Sequence, residues 1–488
     1  MIAPLEIREV GKIEEVKQGI IKISGLPTCR YGEVIEIANT KKGMVIEFDP
    51  TYAFGIVFSH EQDLKVGDTV SSYGKTLSVP VGDGFLGRIV DSLGLPLDGK
   101  GPISPSDFYS VFQEAAGVID RQPISDPLLT GIKTIDMLIP LGKGQRELIV
   151  GDRQIGKSNI ALDTIINQKG KGVICIYCWI GGNQSAFTKL MQLLQQKGAF
   201  DYLVAVAAPA EIASAAQYLC PYTAAAMGEY FMRQGKDVLV VFDDLTKHAW
   251  VYRQMSLLLE RTPGREAYPG DIFFLHSQLM ERAGRLKQEA GGGTMTFLPL
   301  AETLQGDITG YICSNLVSMT DGQIYLNTAL FQEGFKPAID LELSVSRIGS
   351  RVQYPAIRAL STGLRYEYVQ YRSLLRLTRL RIKFSSEATQ QLHRGKVLYE
   401  LLIQENGSPV SLAEEIVLLY SFQKRILEAL DIEQVRKFKT EFFGFLKTHH
   451  HDIVTELEKS GEITEQVTAR IEEAIASYFR GIEIGTGR

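Results

Sequence analysis

The sequence predicts a multidomain chain in three parts: an N-terminal β-barrel over residues 1–75, a central α/β domain over 76–354 and a C-terminal α-helical bundle over 355–488. Three observations carry this. Short alternating segments between Gly, Pro, Asn and Asp turns fill the first part, and apolar strand-like runs alternate with helical stretches in the second. The third spaces its apolar residues by three and four positions, with almost no Gly or Pro. At 488 residues, 45% of them hydrophobic and 22% charged, the chain is long enough to bury large cores.

Taken in order, GIIKISGL, EVIEIA, MVIEF and FGIVF recur at roughly ten-residue spacing, which suits short strands wound into a small barrel. The runs ELIV, VICIYCWI, YLVAVAA, VLVVF, MTFLPL and QIYL are too apolar for a half-exposed strand and predict a mainly parallel sheet covered by helices. GKVLYELLI, LAEEIVLLYSFQKRILEAL and TARIEEAIASYF read as amphipathic helices.

Composition narrows the function classes. A net charge of −5 gives no general reason for a polyanion partner, so nucleic acid is not expected. The start, MIAPLEIREVGKIEE, is acidic where a secretory signal is basic, and no run approaches ~18 apolar residues, so a cytosolic chain spanning no membrane is expected. The five cysteines are too scattered for a disulfide framework. Cys175 and Cys178 form a CxxC inside a strand-like run, which reads as two structural thiols rather than a metal or redox pair. The triplet His449 to His451 reads as a solvated helix end.

The chemistry concentrates in GDRQIGKS, Gly151 to Ser158, between the apolar run ELIV and the helix-like IALDTIINQ. This is GxxxxGK[ST] in its required strand-to-helix context, and it predicts a phosphate-binding loop for ATP or ADP. Gly151 and Gly156 permit the tight turn, Asp152, Arg153, Gln154 and Ile155 supply backbone N–H groups, Lys157 reaches the outer phosphates, and the Ser158 hydroxyl serves Mg²⁺. VLVVFDD places Asp243 at the end of a buried strand, where a carboxylate can hold the Mg²⁺ hydration shell, while Asp244 suits a helix cap. Arg347, in LELSVSRIGSR, is read from the residues alone as a surface salt-bridge partner or as an arginine acting on a neighbouring subunit.

With YRQMSLLLERTPGREAYPGD, TDGQIYL and LSVSRIGS following GDRQIGKS in this order and spacing, the chain closely resembles the alpha subunit of F-type ATP synthases over nearly its whole length. The resemblance implies a barrel, a RecA-like P-loop domain and a helical domain, in a hexamer where three alpha alternate with three beta subunits around a gamma shaft. It further implies a peripheral stalk and a peripheral position on the membrane rotor at the cytoplasmic face. It assigns Mg-nucleotide binding without turnover to Gln154, Gly156, Lys157, Ser158 and Asp243, and a trans-acting role to Arg347. Adenine contacts carry over to Phe331, Lys336, Pro337, Gln404 and Asn406, although Lys336 stands where the family usually has Arg and Asn406 where it usually has Gln.

Catalytic relatives carry a glutamate in a GER-like motif at the segment that here reads WIGGNQSAF, and that carboxylate orients the attacking water. This chain has Gly182 there, so the implied site holds a triphosphate without hydrolysing it. Other departures modify the expectation. Barrel-like sequence begins almost at Met1, so the extension that docks a delta subunit is nearly absent, which points to an alternate, Na⁺-type complex. Arg372, Arg376, Arg379 and Lys383 share one helical face, read as solvated or as a contact with the shaft. Ile155 replaces the customary threonine of the loop. A homohexameric RNA translocase of the Rho type or an export ATPase would need its own water-orienting glutamate, and Gly182 argues against both. A pseudo-ATPase scaffold unconnected with ion transport is the remaining alternative, and the retained Arg347 argues against it.

Overall fold

The computed structural model describes residues 8–58, 64–378 and 385–485. Two compact units emerge, one of Met1–Pro123, Lys143–Val150 and Gln168–Asp321, the other of Ile124–Gly142, Gly151–Asn167 and Gly322–Arg488.

In the first unit, alternation of buried and open residues produces a barrel. Its strands are β1 (Glu9–Lys17), β2 (Ile20–Ser24), β3 (Glu33–Ile37), β4 (Lys41–Phe48), β5 (Tyr52–Val57) and β6 (Thr69–Thr76). They close in the order β1-β2-β5-β4-β3-β6. Ile21 and Ile23, like Ile35 and Ile37, are two apart and both turn inward, joining Ile13, Val45, Val57 and Val70 in the barrel core. Gly55 is small by necessity, because a Cβ there would stand 2.6 Å from Ile35 Cδ1.

The same unit continues through an antiparallel ribbon of β7 (Ser78–Val81), after which comes β8 (Ile89–Val90), with β9 (Asp107–Ser110). The main sheet adds β10 (Leu148–Gly151), whose last residue opens the second unit, β11 (Val173–Ile180), β12 (Leu203–Ala208) and β13 (Asp237–Asp243). It is completed by the short β14 (Gly284–Arg285) and by β15 (Thr294–Glu302), in the order β10-β15-β13-β11-β12-β8 with β14 antiparallel to β15. The pairings of β8, β11, β12, β13 and β15 are parallel. Every residue of β12 is buried, as expected of a strand covered on both faces. The helix Ser214–Arg233, alanine-rich and buried along nearly its whole length, provides one of those covers.

This arrangement settles the cysteines. Residues three apart on a strand face opposite sides, so Cys175 and Cys178 do not meet. Cys178 instead brings its Sγ within 3.4 Å of Cys220 Sγ on the Ser214–Arg233 helix. All five thiols are free and buried, and burial pushes the Cys178 thiol well above its usual range.

His248 of the helix Leu245–Leu258 and His276 of the helix Ile272–Met280 form a buried histidine pair. His248 Nε2 donates to the Tyr218 carbonyl at 3.0 Å, which leaves its Nδ1 to accept from His276 Nε2 at 3.3 Å. Burial lowers His248 from the usual 6.5 to about 4 and His276 to about 3. Below the usual value the unfolded chain takes up protons that the folded chain refuses, so stability falls as pH drops from there toward the two folded values. Denaturant unfolding should show the pair contributing a loss of about 2 kcal/mol between pH 6 and pH 5. A flat profile over that interval, once carboxylate effects are subtracted with a His248→Gln/His276→Gln chain, contradicts this reading.

The second unit holds β16 (Gly322–Leu326) paired antiparallel with β17 (Val345–Ser346), and the C-terminal helices. Leu412–Gln423 is its buried centre, capped by Ser411. Ile432–His449 shows the amphipathic spacing in its buried Val435, Phe438, Phe442 and Leu446, and Asp431 with Gln434 forms a capping box at its start. The helix ends at His449, whose ring stacks on Phe445 at 4.4 Å, and a new one begins at His451, so the histidine triplet marks a helix break. On the basic helix Leu364–Thr378, Arg372 pairs with Glu333 at 2.7 Å and Arg376 with Glu342 at 3.4 Å. Arg379 and Lys383 lie outside the described residues. Among the described residues no helix is long and apolar enough to cross a membrane.

Candidate functional site

The phosphate loop follows from its own sequence. Gly156 turns at φ 104°, a conformation a side chain disfavours, and Gln154 joins it in the left-handed region at φ 61°. The helix Lys157–Ile166 then begins directly, with its first N–H groups facing back along the loop. Ile155 is buried at 5% exposure, and a Cβ on Gly151 would lie 2.6 Å from its Cδ1. The apolar residue therefore packs under the turn and takes no part in polar chemistry. Lys157 Nζ donates to the carbonyls of Gly151 at 2.8 Å and Asp152 at 2.6 Å, which holds the ammonium over the loop. Asp152 in turn accepts from Thr328 at 2.7 Å. Arg153 and Gln154 are exposed on the outside of the turn, and Ser158 is half-buried.

The adenine candidates gather in the same unit. Phe331 is the penultimate residue of the short helix Thr328–Gln332, and Lys336 Nζ lies 5.1 Å from its ring centre. Pro337 follows across a cis peptide bond. The Gln404 N–H donates to the Lys336 carbonyl at 2.7 Å, joining the two loops, and the Gly407 N–H donates to Asp163 on the phosphate-loop helix at 2.8 Å. Asn406 is exposed between these anchors.

Gln404 has a different task from the one its sequence position suggested. Its Oε1 accepts from the Lys133 N–H at 3.0 Å, and both amide hydrogens are spent on the carbonyls of Gly131 at 2.7 Å and Ser408 at 2.8 Å. The carboxamide thus fixes the shape of the loop that presents Asn406. Sequence reasoning missed Lys133, whose Nζ donates to the Leu401 and Ile403 carbonyls. Desolvation lowers this buried amine to about 7. Its only sequence signal was a lysine inside the otherwise apolar stretch GIKTIDMLIP.

Asp243 belongs to the first unit. It ends β13 almost fully buried, and its carboxylate accepts from Tyr177 OH at 2.7 Å. Asp244, joined to it by a cis peptide bond, caps the helix Leu245–Leu258 by accepting from the Lys247 N–H at 2.8 Å. Burial raises Asp244 to about 6. One strand over, Gly182 follows β11 with no room for a side chain, because the Trp179 ring fills the adjoining space.

Arg347 follows β17 on a turn braced by Ser346, which donates to the Pro140 carbonyl at 2.7 Å. The arginine is exposed and makes no hydrogen bond or ion pair among the described residues. The salt-bridge reading therefore has no partner among the described residues. No group of three or more His, Cys, Asp or Glu among the described residues could hold a metal by itself. Within the second unit, the loop N–H groups, the Lys157 ammonium and the Ser158 hydroxyl have the chemistry of a phosphate-binding loop.

Comparison with known proteins agrees with this chemistry. The family profile "ATP synthase alpha/beta family, nucleotide-binding domain" matches residues 131–346, and "ATP synthase alpha/beta chain, C terminal domain" matches residues 353–478. The chain is 44% identical over 474 residues to an ATP synthase subunit alpha of Clostridium botulinum strain Hall, covering 97% of this chain and 94% of that protein. It is 45% identical over 474 residues, with the same coverage, to the ATP synthase subunit alpha of Clostridium acetobutylicum.

Proposed function

The chain belongs to the ATP synthase alpha/beta family, and we propose that it is an alpha subunit whose own site binds Mg-ATP and does not hydrolyse it, while Arg347 serves the catalytic site of an adjacent beta subunit. In this reading three copies alternate with three beta subunits around a gamma shaft, tied to a peripheral stalk, at the cytoplasmic face of a membrane rotor. The assembly couples ATP synthesis or hydrolysis to ion transport.

The observation that carries the silent site is the contrast between a complete phosphate loop and Gly182. The loop N–H groups meet phosphate oxygens, Lys157 offsets their charge, and Ser158 with Asp243 serves the metal. When bound, Mg²⁺ supplies the charge neutralisation and phosphate orientation that phosphoryl transfer uses. Hydrolysis also needs an acceptor that orients water for attack, and Gly182 provides none. Phe331 stacks on the base, with Lys336, Pro337 and Asn406 at its edges and Gln404 holding their loop.

Isothermal titration of the purified chain with Mg-ATP, run beside a phosphate-release assay, tests this. Saturable one-site binding with turnover at the background level is expected, and activity should appear once a beta-type partner is added. Vigorous turnover by the chain alone would favour a homohexameric, self-catalytic ATPase instead.

A further inference from the structure

Trp179 is the penultimate residue of β11 and only 6% exposed. Tyr177 and Phe187 pack against its ring at centroid distances of 6.3 and 5.9 Å, and Lys247 Nζ lies 5.5 Å from its ring centre. Its edge occupies the space beside Gly182. A Cβ at position 182 would stand 2.2 Å from Cζ2, 2.4 Å from Cε2 and 2.9 Å from Nε1. Those atoms belong to a rigid ring packed on both sides, so any residue larger than glycine requires the indole to move.

A second observation is independent of the packing. The indole N–H is buried and has no hydrogen-bond partner among the described residues, although a buried Trp N–H usually finds one. Asp243, its register neighbour on β13, receives its hydrogen bond from Tyr177.

We propose that Trp179 has taken over the place of a side chain at 182, its ring filling the volume and its N–H standing as a donor where hydrolysis needs an acceptor. This rests on the silent-site reading and deepens it. An indole N–H is a donor only, whereas orienting water for attack requires an acceptor for the water's proton. Hydrolysis is thereby blocked twice, by the missing carboxylate and by a donor standing in its space, so a glutamate introduced at 182 alone does not create a working site.

The chain has two tryptophans, so Trp250→Phe leaves Trp179 as the sole indole. In that background Gly182→Ala should lower the thermal midpoint by about 3 °C or more and move the Trp179 emission. In a double-mutant cycle read by thermal unfolding, Trp179→Ala should remove most of that penalty. If Gly182→Ala does not fold, recovery of soluble protein by adding Trp179→Ala reports the same coupling. Gly182→Glu should be destabilised and remain without turnover, and Trp179→Ala should restore its stability. Additive effects at the two positions, or an unchanged emission in Gly182→Ala, would overturn the proposal. Turnover by the unaltered chain sinks the silent-site reading instead, and the cycle between 179 and 182 is scored separately from it.

Discussion

Replacing Arg347 with alanine is expected to lower ATP turnover of the assembled ring by roughly 10³-fold or more, the scale of arginine fingers in other phosphoryl-transfer systems. The structure gives this residue nothing to do at home: it is exposed, and no carboxylate among the described residues meets it. Its turn is nevertheless rigidly seated, with Ser346 held by Pro140, Gly349 donating back to Ser346, and Arg365 bonded to the Ser344 carbonyl at 2.7 Å. A guanidinium on a braced turn is positioned at little entropic cost, which a loose surface arginine is not. Because the side chain makes no hydrogen bond or ion pair among the described residues, Arg347→Ala should leave the thermal midpoint and ring assembly unchanged. Steady-state turnover of the reconstituted ring, with assembly confirmed by gel filtration, is the measurement. Near-normal turnover in a fully assembled mutant ring would remove the proposed role. Arg347→Lys should rescue little, since an ammonium cannot reproduce the two-pronged geometry.

The second large effect is expected at Lys157. Truncation to methionine removes the one ammonium over the loop and should weaken Mg-ATP by about 100-fold or more, the scale of losing one partner from a buried charge-assisted pair. This amine also bonds two loop carbonyls, so the same substitution loosens the turn. Thermal unfolding without nucleotide measures that part, and titration calorimetry measures the whole. Unaltered affinity would show that the loop does not hold phosphate through this residue.

What could be read from the sequence is what local pattern determines. VICIYCWI and VLVVF announced strands buried on both faces because no residue in them could face water, and the spacing GxxxxGK[ST] fixes a turn whose backbone does the binding. Asp244 as a helix cap was legible for the same reason, since capping is decided within a few residues. Contacts made across long sequence separations were not. Nothing in CxxC discloses that Cys178 meets Cys220, forty-two residues on, rather than its near neighbour. The resemblance carries Gln404 over as an adenine contact, and only the fold reveals that its amide bonds Gly131, Lys133 and Ser408. Gly182 was recognised as a missing side chain, but only packing reveals that a neighbouring ring excludes one.

The wiring of Gln404 has a kinetic corollary. The segment around Asn406 is fastened to Gly131, Lys133, Lys336 and Asp163 by the chain's own hydrogen bonds, so its shape is built in. Little disorder has to be frozen out on docking, and little is regained on departure. A seat built this way favours long residence over rapid exchange, as the proposed non-catalytic role requires.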